Sequence, residues 1–161
     1  MTRILLALDD SDAARSAAET AHALFGDTAD YLAVYVAADP EATSSMTWGS
    51  VYGYPFGAAP VLLDDMARSA ADVVDSARDE ASRRAADAGI QAEALGEVGD
   101  PAHAISRAAR DHTVDLIVVG HAQRGWLRSL FDPSVTDDLI DATHLPVMVV
   151  PAPSDSEERS G

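Results

Sequence analysis

The chain predicts an α/β protein built as a doubly wound parallel sheet. Three observations lead there. Its apolar runs are short and continuous instead of alternating, as expected of strands covered on both faces. Alanine-rich stretches with helical spacing separate those runs. Ser, Asp, Gly and Pro sit at the boundaries where helices must start and stop.

The elements follow in order. Arg3–Leu8 is the first strand and ends at Asp9-Asp10-Ser11-Asp12, where Ser11 or Asp12 can cap a helix. That helix runs from Ala13 to Phe25, with Ala14, Ala17, Ala18, Ala21 and Leu24 on its apolar face and Gly26 closing it. Tyr31–Val36 is a second strand rich in β-formers, which makes the opening a parallel crossover unit. Asp39–Pro60 carries Gly49, Gly53, Gly57, Pro40, Pro55 and Pro60 among Trp48, Tyr52, Tyr54 and Phe56. It exceeds ordinary loop length and reads as a surface loop, a lid or a mobile insertion. Val61–Ala88 is the longest helical stretch, with Leu62, Met66, Ala70, Val73, Val74, Ala77, Ala81 and Ala85 along one face and Gly89 at its end. Ile90–Val98 is the third strand. Asp100 caps the next helix, Pro101 takes its first position, and the helix reaches about His112. Asp115–Val119 is the fourth strand, followed by a loop from Gly120 to Gly125. The apolar string Trp126–Phe131 comes next and packs over the sheet or serves a partner. A helix from Pro133 or Ser134 to Thr143 and a fifth strand, Pro146–Val150, complete the domain. Residues 1–153 thus form one domain, and 154–161 a polar, disordered tail.

Composition narrows the function. The chain has 161 residues, 27 acidic against 11 basic side chains and a formal charge of −16; all the basic ones are Arg. Such a surface repels nucleic-acid phosphates and anionic lipid, so neither is an expected partner. No Cys is present, which excludes disulfides, thiol catalysis and thiolate metal sites. No apolar run is long enough to span a bilayer and Met1–Leu8 lacks the features of a signal peptide, so a cytoplasmic protein is expected. Abundant Asp without Lys fits a halophilic, salt-loaded cytoplasm, where ions screen self-repulsion, and equally a GC-rich genome.

In doubly wound sheets, ligands bind beyond the carboxyl ends of the strands, where the winding reverses. Asp9-Asp10-Ser11, Gly120–Gly125 and Ser134-Val135-Thr136 all fall at such ends. Backbone N–H groups after Gly120 and near Ser134 can face a phosphate, with Arg124 adding charge, although Gly and Ser at these places also serve turns and caps. No P-loop and no G-x-G-x-x-G occurs. Of His22, His103, His112, His121 and His144, none forms an i, i+4 pair, which argues against zinc; His121 alone lies in the ligand loop and fits a turn position. Ser11, His121 and Asp9 can be written as a triad, but no nucleophile elbow supports it. The acid pairs Asp9-Asp10 and Asp137-Asp138 could hold Mg²⁺ and equally serve as caps and solvated helix faces.

Along nearly its whole length the sequence resembles the universal stress protein family. The residues that carry the resemblance are Ile4–Ser11, Val98-Gly99-Asp100-Pro101, Asp115–Gly120, Ser134-Val135 and Leu145–Val150. It implies a five-stranded parallel sheet of order 3-2-1-4-5 with helices on both faces, and homodimers joined through the last strand, 146–150. One branch of the family binds ATP through Gly, two residues, Gly, nine residues, then Gly and Ser or Thr. Carried over, these positions are Gly120, Gln123, Pro133 and Ser134, so two glycines are replaced; Gly125 lies two residues late. Gln123 places a side chain where backbone must approach closely, and Pro133 removes an N–H donor. The resemblance also implies Asp9 at the ribose or adenine end and Val36 as a wall of the adenine pocket. The expected site is therefore Asp9, Ser11, Val36, Gly120, Gln123, Arg124, Ser134 and Val135, with ATP or AMP and Mg²⁺ as ligands and no catalytic residue. Arg124 and Arg128 are the nearby neutralising charges. The implied function is a non-catalytic stress-response module with a protein partner. The alternative is a dimeric interaction module that has lost nucleotide.

Overall fold

The computed structural model describes residues 1–38, 59–121 and 139–153, residues 59–67 by their backbone alone. In chain order the elements are β1 (Thr2–Ala7), α1 (Asp12–Phe25), a short 3₁₀ turn (Gly26–Thr28), β2 (Ala29–Ala37), α2 (Ala59–Asp87), β3 (Ala92–Val98), α3 (Pro101–Asp111), β4 (Leu116–His121) and β5 (Val147–Pro151). The strands form one sheet in the order β3-β2-β1-β4-β5, and every pairing is parallel. The doubly wound sheet is as the sequence predicts, and the strand order is the one the family resemblance implies. Right-handed crossovers put α1 and α2 on one face; the return from β3 to β4 carries α3 across the other.

β1 is the central strand, and it sets the core. Ile4, Leu5, Leu6, Ala7 and Leu8 are all buried, as are Leu32, Ala33 and Val34 of β2 and Ile117, Val118 and Val119 of β4. Burial on both faces explains why these strands are continuous apolar runs. α1 covers β4 and β5 with Ala13, Ala14, Ala17, Ala18 and Ala21. Small side chains let the helix sit close to the sheet. At Gly120 the approach is closest: a Cβ there would lie 2.3 Å from the Ala13 carbonyl oxygen and 2.7 Å from the Ala14 nitrogen. Gly96 does the same for α2, where a Cβ would meet the Val74 carbonyl oxygen at 2.0 Å.

Several boundaries differ from expectation for identifiable reasons. β3 starts at Ala92, not Ile90, because the Ile90 N–H bonds the Ala85 carbonyl (2.9 Å) and closes the end of α2. The same closing pattern ends α3, where the Val114 N–H reaches the Ala109 carbonyl at 3.1 Å. There the left-handed residue is Thr113 (φ 52°), an unfavourable conformation for a β-branched side chain. β4 continues through Gly120 and His121, which pair with Val150 and Pro151; the expected ligand loop therefore starts no earlier than 122, and His121 is a strand residue, not a turn residue. α2 begins at Ala59, so the last two residues assigned to the long loop are helical. Asp39–Ala58 lies outside the described residues, as do the start of the helix that ends at Thr143, Trp126–Phe131 and the tail 154–161.

Two helix faces are also corrected. Leu24 is 65% exposed, and Phe25 makes the core contact in its place. Ala70 is exposed, whereas Ala77, Ala81 and Ala85 are buried. For Ala70 the cause is length: the 29 residues of α2 span about 43 Å, against about 23 Å for the seven residues of β3. Part of α2 therefore runs past the end of the sheet. Among the described residues no helix is long and apolar enough to cross a membrane.

Gly96→Ala is expected to destabilise the domain by about 1–3 kcal/mol, because α2 must shift off β3 to admit the methyl group. Chemical denaturation of the variant beside the parent chain measures the loss.

Candidate functional site

The rim at the carboxyl ends of β1, β2 and β4 carries the polar residues. Register fixes which meet: Ala7 pairs with Val34 on one side and Val119 on the other. Asp9, Val36 and Gly120, each one or two residues further on, therefore share that rim. Ser11 stands with them as the N-cap of α1.

Asp9 is the unusual member, a carboxylate only 2% exposed. A buried carboxylate requires hydrogen bonds, and the chain supplies them locally. Its Oδ1 accepts from the Ser11 N–H at 2.8 Å and from the Ser11 hydroxyl. The Ser11 Oγ in turn accepts from the Ala14 N–H at 3.1 Å, which caps the helix. Sequence reasoning left the cap open between Ser11 and Asp12; Ser11 takes it, and Asp12 lies in the first helical turn. Val36 is buried (3% exposed) and belongs to the core at this end of β2. Gly120 is buried under the start of α1, so its need for hydrogen in place of a side chain is already explained by helix seating.

A cleft of about 380 Å³ opens here. Its walls are Leu8, Asp9, Asp10, Ser11, Asp12, Ala14 and Arg15 on one side and Arg84 and Asp87 of α2 on the other. Arg84 ties the two walls together. Its guanidinium bonds Asp10 across the cleft, and its Nε donates to Glu80 Oε1 at 2.7 Å on its own helix. Glu80 also pairs with Arg83. Those hydrogen bonds, Arg83 first, outweigh partial burial and hold the Glu80 carboxyl below the usual range. Nearby Tyr35 is pushed up by burial and by the Asp10 and Glu80 charges. The acid pair proposed for Mg²⁺ is thus divided: Asp9 turns to Ser11, and Asp10 to Arg84.

The structure brings together Asp9, Ser11, Val36 and Gly120. Gln123, Arg124, Ser134 and Val135, with Pro133, Gly125, Arg128 and Asp137-Asp138, lie outside the described residues. His121 ends β4 and is exposed. Sequence reasoning missed Arg84 and Glu80. Their i, i+4 spacing was the available signal, but it marks helix pairs everywhere and does not say which pair faces a cleft.

A small doubly wound parallel sheet with a polar cleft at the end of β1, between α1 and α2, defines an α/β protein of the kind that carries its ligands at the carboxyl ends of the strands. A model of the universal stress protein family matches residues 1–151, and the chain belongs to that family. It is 28% identical over 149 residues to universal stress protein YxiE of Bacillus subtilis, covering 92% of this chain and 97% of the relative. Among solved structures, the hypothetical protein MJ0577 superposes with a TM-score of 0.62 at 20% identity, over 96% of this chain and 98% of its own. A universal stress protein in complex with cAMP gives a TM-score of 0.52 at 22% identity, over 94% and 98%. At these identities both structures establish the fold alone.

The Glu80 network yields a pH signature. A folded-state value held below the ordinary range stabilises above the ordinary carboxylate range, and that stabilisation is lost as pH falls through the folded value. Glu80→Gln should therefore cost roughly 0.5–1 kcal/mol at neutral pH. The gap to the parent should close as pH falls below the usual glutamate range, as read from denaturation midpoints across pH.

Proposed function

We propose that the protein is a cytoplasmic, non-catalytic stress-response module that binds an adenine nucleotide, ATP or AMP, at the rim of β1 and β4. The observation that carries this reading is the buried Asp9 carboxylate, fixed by Ser11 beside Val36 and Gly120 at the winding reversal. A carboxylate in that position accepts hydrogen bonds from ribose hydroxyls or an exocyclic amine. A family member of the same fold is described with cAMP. In this reading Mg²⁺ enters as a counter-ion of the phosphates. A non-catalytic role is supported by Ser11, whose proton goes to Asp9 and whose oxygen caps α1.

Heat-denaturing the pure protein should release adenine nucleotide, identified by mass spectrometry. Titration of the emptied protein with AMP and ATP, the latter with Mg²⁺, should show binding below millimolar concentration and no appreciable turnover. Absence of released nucleotide and of binding at millimolar ligand overturns the reading. It favours the nucleotide-free interaction module, which the Gln123 and Pro133 replacements already suit.

The reading includes a homodimer joined along β5, presenting a face to a protein partner. β5 is an edge strand of the sheet, and Val149 and Ile140 are 45% and 44% exposed. An edge bearing apolar side chains is a template for strand or face pairing. Val149→Asp should shift the chain from dimer to monomer in analytical ultracentrifugation; a parent chain that sediments as a monomer refutes the dimer.

A further inference from the structure

We infer that the β3 edge of the sheet is closed to a second copy of the chain, and that Glu93 and Glu97 close it. The sheet has two edges, β3 and β5, and among the described residues no strand lies on the outer side of β3. An edge strand presents backbone N–H and C=O groups that another strand can take. The two edges differ in chemistry. β5 reads Val147-Met148-Val149-Val150-Pro151 and has no charged side chain, whereas β3 reads Ala92-Glu93-Ala94-Leu95-Gly96-Glu97-Val98. Alternation assigns the faces of β3. Gly96 lies under Val74 and Arg78 of α2, so Ala92, Ala94 and Val98 turn the same way. Glu93, Leu95 and Glu97 take the opposite face, where α3 packs. There Glu97 turns into the layer: Arg107 of α3 donates to its carboxylate, and its side chain is 21% exposed. Glu93 leans back toward Arg3 of β1, 3.9 Å away. Charged side chains directed inward from an edge strand oppose the addition of another strand.

Register shows what a second copy meets. Two β3 strands related by a two-fold axis run antiparallel, and the register that uses the whole strand centres on Leu95. It sets Glu93 of each copy opposite Glu97 of the other, so like charges meet twice. Each such opposition weakens pairing by up to about fivefold. In a dimer joined along β5 the free edges are both β3, so closing β3 ends the sheet at two copies. That consequence rests on the dimer reading; the closure of β3 does not.

The test is sedimentation of the whole chain over a range of concentrations. Glu93→Gln with Glu97→Gln, and Glu93→Val with Glu97→Val, are each compared with the parent and with Val149→Asp, alone and combined. Circular dichroism and chemical denaturation check that each variant folds. The Gln pair removes the charge and little of the shape, and should strengthen association through β3 by about two- to thirtyfold. The Val pair should strengthen it further. On the parent background, species larger than the parent's own should appear; on the Val149→Asp background, species of two copies. Folded variants that match their backgrounds in size at every concentration overturn the closure of β3. Growth with the Val pair alone overturns it as well, because apolar surface and not lost charge then drives the pairing. So does growth that Val149→Asp abolishes, because it runs through β5. If the Val pair does not fold, the Gln pair decides alone. A parent that sediments as a monomer beside a Gln pair that forms dimers refutes the β5 dimer and leaves the closure of β3 standing.

Discussion

Placing a carboxylate out of water at the end of the central strand constrains everything around it. Asp9 cannot stay buried unless the next residues fold back to solvate it, and Ser11 does so with both its N–H and its hydroxyl. The same hydroxyl oxygen caps α1, so the turn that satisfies the acid also starts the helix. α1 can then lie down only where the neighbouring strand lets its first turn come close. Gly120 in β4 provides that room. One buried acid, one cap and one missing side chain thus fix how β1, α1 and β4 meet, and they place the rim of the cleft.

The far wall of the cleft obeys a different physics. Arg84 reaches from α2 to Asp10 and is braced by Glu80, an arrangement of partly exposed charges that salt and pH can loosen. The near wall is therefore set by buried hydrogen bonds and the far wall by screened ion pairs. In a chain with 27 acids and 11 arginines, nearly every arginine near a site finds a carboxylate.

Much of the fold was legible in the sequence. Continuous apolar runs identify strands covered on both faces, and Ser11, Gly26, Asp100 and Pro101 mark helix ends through side-chain chemistry that acts locally. What local chemistry does not specify is where an element stops when its limit is set by a neighbour. β4 extends through Gly120 and His121 because β5 offers Val150 and Pro151 as partners. Leu24 and Ala70 fit the apolar spacing of their helices, yet Phe25 takes the core contact in place of the first, and the second lies where α2 outruns the strand it covers. Of the candidate site, Asp9 and Ser11 were readable from a strand-end acid and a cap. Gly120 was readable as a strand-end glycine, and Val36 came with the family resemblance. Arg84 was not readable, because its role depends on α2 crossing the sheet beside β1.

The overshoot of α2 makes one continuous helix behave as two segments. Around Ala77, Ala81 and Ala85 its backbone is clamped to β2 and β3, and opening it there means breaking into the core. Around residues 68–72 every side chain is exposed. Amide protons should therefore exchange along a gradient, fast at the projecting end and at the rate of global unfolding near Ala81. The part of α2 packed on the sheet is also the part that holds Arg84, so the far wall of the cleft is carried by the slowly exchanging segment.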